Sequence, residues 1–328
     1  MKKIVLFDTS VGSLNHGDGI IMESFEKNAK DLLEGNYIAK FPSHTPCFTF
    51  YQQVKRNPRY RFICGSDYKF ICGTNLLNNR MYIPWPFFNI SFFNSGCYKN
   101  SVLVGVGASA FPKDSNKVSL YSKLLFSKIL SKEYKHSVRD ERTKLIVDSI
   151  LGEGSAINTG CPTIWGLTKD HCAEIPSKKA EEVIFTLSDY SAKKEHDERL
   201  IDVLVKNYKK VYFWPQGTKD MEYFATFSQT ENITVISPGV KAYSMLLSEK
   251  DVDFVGTRLH AGIYAMQHKR RTVILSVDNR ARDMAESYNL HVLERTSDKL
   301  EEKINSEFAT DIKINEENIS LWKSQFKD

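Results

Sequence analysis

Three short runs in the 328-residue chain combine side chains that can grip an anion and move a proton: Asn15-His16-Gly17-Asp18, Ser137-Val138-Arg139-Asp140 and Gly256-Thr257-Arg258-Leu259-His260. Arginine offers a planar fork of N–H donors that matches a phosphate or carboxylate in bidentate fashion. Histidine titrates near neutrality, so His260 can act as a general acid or base, and a phosphate beside it raises its pKa. Each run reads as a place where a strand ends and a helix begins. In open parallel sheets ligands bind beyond the carboxyl ends of the strands, and five such junctions therefore mark where chemistry is expected.

The run at 252–260 is the most informative. Val252 to Gly256 reads as a strand, Thr257 as a cap and Arg258-Leu259-His260 as the first helical turn. A helix N-terminus carries about half a positive charge, so cations there oppose the dipole, and a bound anion is the expected offset. The alternative is that Arg258 and His260 are solvated, or satisfied inside the core. Arg139, at a strand end, reads as a phosphate or carboxylate ligand or as half of a surface ion pair, with Asp140 capping the helix from Glu141. Asp18 reads as the cap of a helix after a glycine-rich loop, or as a carboxylate acting on an acceptor; His16 beside it reads as a loop histidine. Cys72-Gly73-Thr74-Asn75 and Gly105-Val106-Gly107-Ala108 read as tight turns able to line a cleft. In Trp214 to Asp220, Gln216 supplies a hydrogen-bonding side chain, Thr218 a cap and Lys219 an optional anion contact. The basic run from His268 to Arg271 reads as a solvated helix C-terminus.

Short β-branched or aromatic runs alternating with amphipathic stretches imply β-α-β units and parallel sheets. Strands are expected at Lys3 to Asp8, Tyr37 to Phe41, Tyr68 to Cys72, Val102 to Gly107 and Lys135 to Val138. Six more follow, starting at Glu182, Lys210, Ile233, Val252, Arg271 and Leu290. Helices fall between them, including Asp18 to Glu34, whose Ile21, Phe25, Ala29, Leu32 and Leu33 recur mostly at steps of three and four. The loss of periodicity from Ile157 to Ser177 sets the domain boundary: residues 1–165 form an N-terminal domain and residues 166–328 a C-terminal one. A last helix, Glu316 to Phe326, is expected to pack on one of them. The aromatic segment Ile83 to Asn94 reads either as a packed loop or as a rim of rings over a cleft.

With hydrophobic residues at 41% and charged residues at 26%, the chain can bury a sizeable core and is not disordered. A net charge of +5 is mild for this length and excludes a nucleic-acid footprint from charge alone. The longest apolar runs are far short of the roughly 18 residues that span a bilayer. Six cysteines without a C-x-x-C pair read as reduced thiols of a cytoplasmic protein; Cys64 and Cys72 lie in or beside strand-like runs, and no metal site is expected. P-loop, nucleophile-elbow and dinucleotide fingerprints are missing, which disfavours P-loop hydrolysis and dinucleotide redox chemistry.

Taken together the junctions resemble the polysaccharide pyruvyl transferase family. The specific parts are the Arg-Asp opening a helix at 139–140 and the Arg-Leu-His at 258–260. The resemblance implies an α/β fold of two Rossmann-like domains facing across a cleft, as in GT-B glycosyltransferases, with the acceptor on the N-terminal side. It also implies phosphoenolpyruvate as donor, no further cofactor, a sugar acceptor that is free, lipid-linked or polymeric, the lipid-linked form placing the protein near a membrane, and a pyruvyl ketal as product. It assigns donor binding to Arg139, Arg258, Leu259 and His260 and the N-terminal acidic position to Asp18. Thr257, Asn15 and Gln216 complete the expected substrate-binding set, with His260 and Asp18 as catalytic residues. Where many members carry Asp-Pro, this chain has Cys161-Pro162. The alternatives are a glycosyltransferase using a nucleotide sugar and a non-catalytic protein that binds a sugar or a partner enzyme.

Overall fold

The computed structural model describes residues 1–83, 88–109, 117–228 and 230–326, which leaves Trp85, Pro86 and Phe87 of the aromatic segment outside the described residues. The chain divides into two compact units, one of Met1–Ser13, Ile21–Trp165 and Asn315–Asp328, the other of Leu14–Ile20 and Gly166–Ile314.

The first unit carries β1 (Lys3–Asp8), β2 (Tyr37–Pro42), β3 (Tyr68–Cys72), β4 (Leu77–Asn78), β5 (Val102–Val104), β6 (Ala108–Ser109), β7 (His136–Val138) and β8 (Ala156–Asn158). Its helices are α1 (His16–Asn28, which opens in the other unit), α2 (Lys30–Leu33), α3 (Pro58–Cys64), α4 (Leu120–Ile129) and α5 (Glu141–Leu151). Four strands form a parallel sheet in the order β2-β1-β3-β5, while β7 and β8 pair with each other. Side chains join β7 to β5: His136 Nδ1 accepts the Leu103 N–H at 3.2 Å and Ser137 Oγ accepts the Gly105 N–H at 2.9 Å. The other ring nitrogen, Nε2, donates to the Ser131 carbonyl at 3.0 Å. A fully buried imidazole that accepts with one nitrogen and donates with the other is neutral. Helix α3 arises where Asn57 caps and Pro58 takes the first helical position; Cys64 therefore closes a helix and does not sit in or beside a strand. In the aromatic segment Phe88 is buried, Phe92 packs against the core and Phe93 is exposed.

The second unit is built from β9 (Glu182–Thr186), β10 (Lys210–Phe213), β11 (Ile233–Val235), β12 (Val252–Gly256), β13 (Thr272–Ser276) and β14 (Val292–Glu294). Between them run α6 (Lys169–Ala173), α7 (Lys194–Asn207), α8 (Asp220–Phe224), α9 (Val240–Glu249), α10 (Leu259–Gln267), α11 (Asn279–Tyr288) and α12 (Leu300–Asn305). The strands are parallel in the order β11-β10-β9-β12-β13-β14. This is the Rossmann order, and it puts the topological switch point between β9 and β12. Both faces are covered: Val183 and Phe185 of β9 pack with Leu200 and Leu204 of α7, and Ile184 packs with Tyr243 of α9 and Tyr264 of α10. Ile20 joins that second cluster, which is why the start of α1 belongs to this unit.

The terminal helix α13 (Glu316–Ser324), expected to pack on one of the domains, packs on the first unit although it follows the 166–314 stretch in the chain. Trp322 is fully buried against Phe70 and Trp165, and Phe326 against Tyr68 and Phe70. Among the described residues no helix is long and apolar enough to cross a membrane.

Two outcomes follow from these contacts. Burial holds the His136 ring down at about 4 from an ordinary 6.5. The folded state therefore binds fewer protons than the unfolded one between those values, and stability is lost as pH falls through that window, by about 3 kcal/mol. Urea unfolding at pH 7 and pH 4.5 should show a smaller pH penalty for His136→Asn than for the unsubstituted protein; equal penalties would exclude His136 as the source. Trp322→Ala should cost about 3–5 kcal/mol by the same measurement.

Candidate functional site

All the site residues expected from the sequence except Arg139 lie in the second unit, and of these Asp18 is not among the residues that line the pocket. Asn15, Gln216, Thr257, Arg258, Leu259 and His260 line one concave pocket, joined there by Tyr190, Val277, Asp278 and Ala281. Three chain segments meet at this place. The loop before α1 is paired to the loop after β10 by an antiparallel bridge, Asn15 to Gly217, and by the His16 N–H donating to the Gln216 carbonyl at 3.0 Å. The third segment is the β12–α10 junction.

Arg258 is the buried centre of the arrangement. Its Nε donates to the Leu187 carbonyl at 2.9 Å, and its Nη2 donates to Asp189 Oδ1 at 2.8 Å and to Asp220 Oδ1. The ring of Tyr190 lies 4.9 Å from the guanidinium carbon. Asp220, wholly buried, also accepts the N–H groups of Gln216 (3.0 Å), Gly217 (2.7 Å) and Asp189 (3.2 Å). Burial raises the Asp220 carboxyl, and Arg258 only partly offsets it. At Asp189 burial also pushes upward, but hydrogen bonds within the cluster and the charge of Arg258 outweigh it and hold that carboxyl low. Two carboxylates that share one cation divide in this way. A Cβ on Gly217 would fall 2.5 Å from Arg258 Nη2, so only glycine leaves room for the guanidinium.

Several local roles differ from those expected. Arg258 occupies the N-cap position of α10 and not its first turn, and its charge is offset by Asp189 and Asp220, so a ligand anion is not needed to explain it. Thr257 does not cap: its hydroxyl pairs with Ser188 Oγ at 2.9 Å. Asn15, not Asp18, caps α1, with Oδ1 accepting the Gly17 N–H at 3.0 Å; Asp18 is the third residue of that helix. Thr218 gives way to Asp220, which ties its own loop as described above.

Gln216 carries an open valence. Asn15 Oδ1 accepts the Gly17 N–H, so it must be oxygen, and the Gln216 group 2.8 Å from it must be the donating Nε2. That leaves Gln216 Oε1 as a buried acceptor without a hydrogen-bond partner in the wall of the pocket. Buried polar atoms are nearly always satisfied, so an open acceptor on a residue that lines a pocket calls for a donor.

Arg139 lies in the first unit at the end of β7. Its N–H donates to the Val106 carbonyl at 3.2 Å and its Nε to Asp140 Oδ2 at 3.3 Å, while Asp140 caps α5 by accepting the Thr143 N–H and hydroxyl, both at 2.7 Å. Here too a glycine makes room, since a Cβ on Gly107 would meet Arg139 Nε at 2.3 Å. Asn75 Oδ1 stands 2.7 Å from that same Cβ position and is another buried acceptor with no hydrogen-bond partner. The two glycine turns thus lie at Arg139. Sequence reasoning missed Asp189, Tyr190 and Asp278. The first two follow the end of β9, a junction the strand-end rule could have singled out. Asp220 sat in a named junction without a role. Among the described residues no cluster of three or more His, Cys, Asp or Glu could hold a metal ion.

A search of curated proteins finds no match. Among solved structures, UDP-GlcNAc 2-epimerase of Methanocaldococcus jannaschii in complex with UDP-GlcNAc and UDP is similar at 12% identity and a TM-score of 0.51, covering 96% of each chain. The S. aureus MnaA–UDP structure is similar at 12% identity and a TM-score of 0.49, over 100% of this chain and 89% of that one. At such identity the likeness is one of fold, a GT-B-like α/β architecture with parallel sheets. The model of the polysaccharide pyruvyl transferases matches residues 15–279, a span holding Arg139 and every pocket residue except Ala281. The chain belongs to the polysaccharide pyruvyl transferase family.

Proposed function

We propose that the protein transfers a pyruvyl group from phosphoenolpyruvate to two hydroxyls of a sugar, forming a cyclic ketal and releasing phosphate. The observation that carries this reading is the pocket in which Asn15, Gln216, Arg258 and His260 stand together at the N-terminus of α10. The first-turn N–H groups of a helix favour an anion, and Arg258, whose charge Asp189 and Asp220 already offset, contributes hydrogen-bond donors at the same end. Its Nε and Nη2 serve the protein, which leaves Nη1 for the donor. The family resemblance also assigns Leu259 to the donor.

His260 delivers a proton to the methylene carbon of phosphoenolpyruvate, turning C2 into an oxocarbenium-like centre. One sugar hydroxyl attacks C2 and gives up its proton, with Asp18 as the base. The C–O bond to phosphate then breaks, the phosphate leaving with the proton held by Asp18, and the second hydroxyl adds to C2 and passes its proton to His260 as the ketal closes. Ionised phosphoenolpyruvate has no hydrogen-bond donor, so Gln216 Oε1 pairs with a sugar hydroxyl. That open acceptor also favours one rival, a transferase that binds a nucleotide sugar, the ligand class named for the M. jannaschii enzyme.

Phosphate release from phosphoenolpyruvate is measured with a panel of galactosides, glucosides and N-acetylmannosaminides, and the products are weighed. His260→Asn should lower kcat by about 10²- to 10⁴-fold with an unchanged melting temperature. Unchanged turnover would remove His260 from the mechanism. Gln216→Leu should raise KM for the sugar and leave KM for phosphoenolpyruvate nearly unaltered. Thermal stabilisation by nucleotide sugars but not by phosphoenolpyruvate would favour the rival.

A further inference from the structure

One face of the first unit combines charge and apolar surface in a way the pocket chemistry does not use. From Gly35 to Lys132 the chain holds thirteen Lys and Arg against two acids, Asp67 and Asp114, so the remainder of a chain of net charge +5 is acidic. Large apolar side chains stand exposed on the same stretch: Phe50 (73%), Tyr51 (74%), Phe93 (74%), Leu120 (72%) and Leu124 (52%). Contacts link them into one surface. The Phe50 ring meets Phe93 edge-on at 6.4 Å, and Gln53 Nε2 donates to the Phe93 carbonyl at 2.6 Å. Phe92 meets Tyr121 of α4 at 5.1 Å, and Lys128 Nζ lies 5.2 Å from the Phe92 ring. Leu124 is three residues after Tyr121 and four before Lys128, so it shares their face of α4. Lys55, Arg56, Arg59, Arg61 and Lys123 are exposed and form no ion pair among the described residues.

We propose that this face docks the protein on an anionic lipid bilayer. Aromatic and aliphatic groups enter the headgroup boundary while cations meet lipid phosphates. Exposed apolar side chains that stand together, rimmed by charged ones, mark an interaction site. A nucleic acid or anionic polymer would use the cations, and bases could stack on the rings, but neither has a use for exposed Leu120 and Leu124. The bilayer fits both halves of the surface.

The test is co-sedimentation of the full chain with vesicles of phosphatidylcholine alone and of phosphatidylcholine mixed with phosphatidylglycerol. Binding is expected only to the mixed vesicles and should weaken sharply as salt is raised to about 0.5 M. Phe50→Ser with Phe93→Ser should reduce partitioning about tenfold. Lys55→Glu with Arg56→Glu and Arg59→Glu should abolish it. Both sets of changes lie on exposed residues and should leave the melting temperature unaltered. No binding to mixed vesicles overturns the proposal. So does binding that survives the Phe→Ser changes and is matched by binding to heparin, since that is adhesion to any polyanion.

Discussion

A single buried guanidinium organises the pocket. Arg258 bonds to Leu187 and Asp189 beyond β9 and to Asp220 beyond β10, while its own backbone lies two residues beyond β12. Three strand ends are thereby pinned around one cation. Removing one partner of such a cluster leaves an uncompensated buried charge and costs about 3–5 kcal/mol, so the geometry is all or none. The same contacts explain why the loop after β10 is so short of freedom: Asp220 collects the N–H groups of Gln216 and Gly217 and fixes where the Gln216 side chain stands. What remains for a ligand is the part of Arg258 and Gln216 that the protein does not use.

The first unit solves its own problem with side chains as well. The β5 edge has N–H groups at Leu103 and Gly105 that face β7, and His136 and Ser137 accept them in place of a backbone ladder. This brings β7 close enough for Arg139 to follow at its end. In both units an arginine lies against a glycine, Arg139 at Gly107 and Arg258 at Gly217, because a side chain there would occupy the volume of the guanidinium. The two turns differ in that Asp140 both caps a helix and holds Arg139, whereas Asp220 is committed to backbone N–H groups and Arg258.

Much of the fold was legible. The spans Lys3–Asp8, Tyr68–Cys72 and Val252–Gly256 match the expected ones residue for residue, because buried parallel strands leave a strong signal. Short elements left less. Helix α3 was missed although Asn57-Pro58 announces it, and the helix expected from Asp18 breaks into α1 and α2 at Ala29. The terminal helix was found from Ile319, Trp322 and Phe326, but a stripe of apolar residues does not say which core it covers.

The sequence by itself determined the alternation of strands and helices, the junctions where chemistry gathers, and the residue types Asn15, Gln216, Arg258 and His260 found there. These are local properties, carried by periodicity, turn chemistry and side-chain functional groups. Only the tertiary structure decided that Arg258 is neutralised by Asp189 and Asp220, that Asn15 and not Asp18 caps α1, and that Gln216 keeps an open acceptor. Asp189 and Arg258 are 69 residues apart in the chain, and Asn15 and Gln216 are 201 apart. Pairings over such distances depend on strand order, which no local pattern encodes.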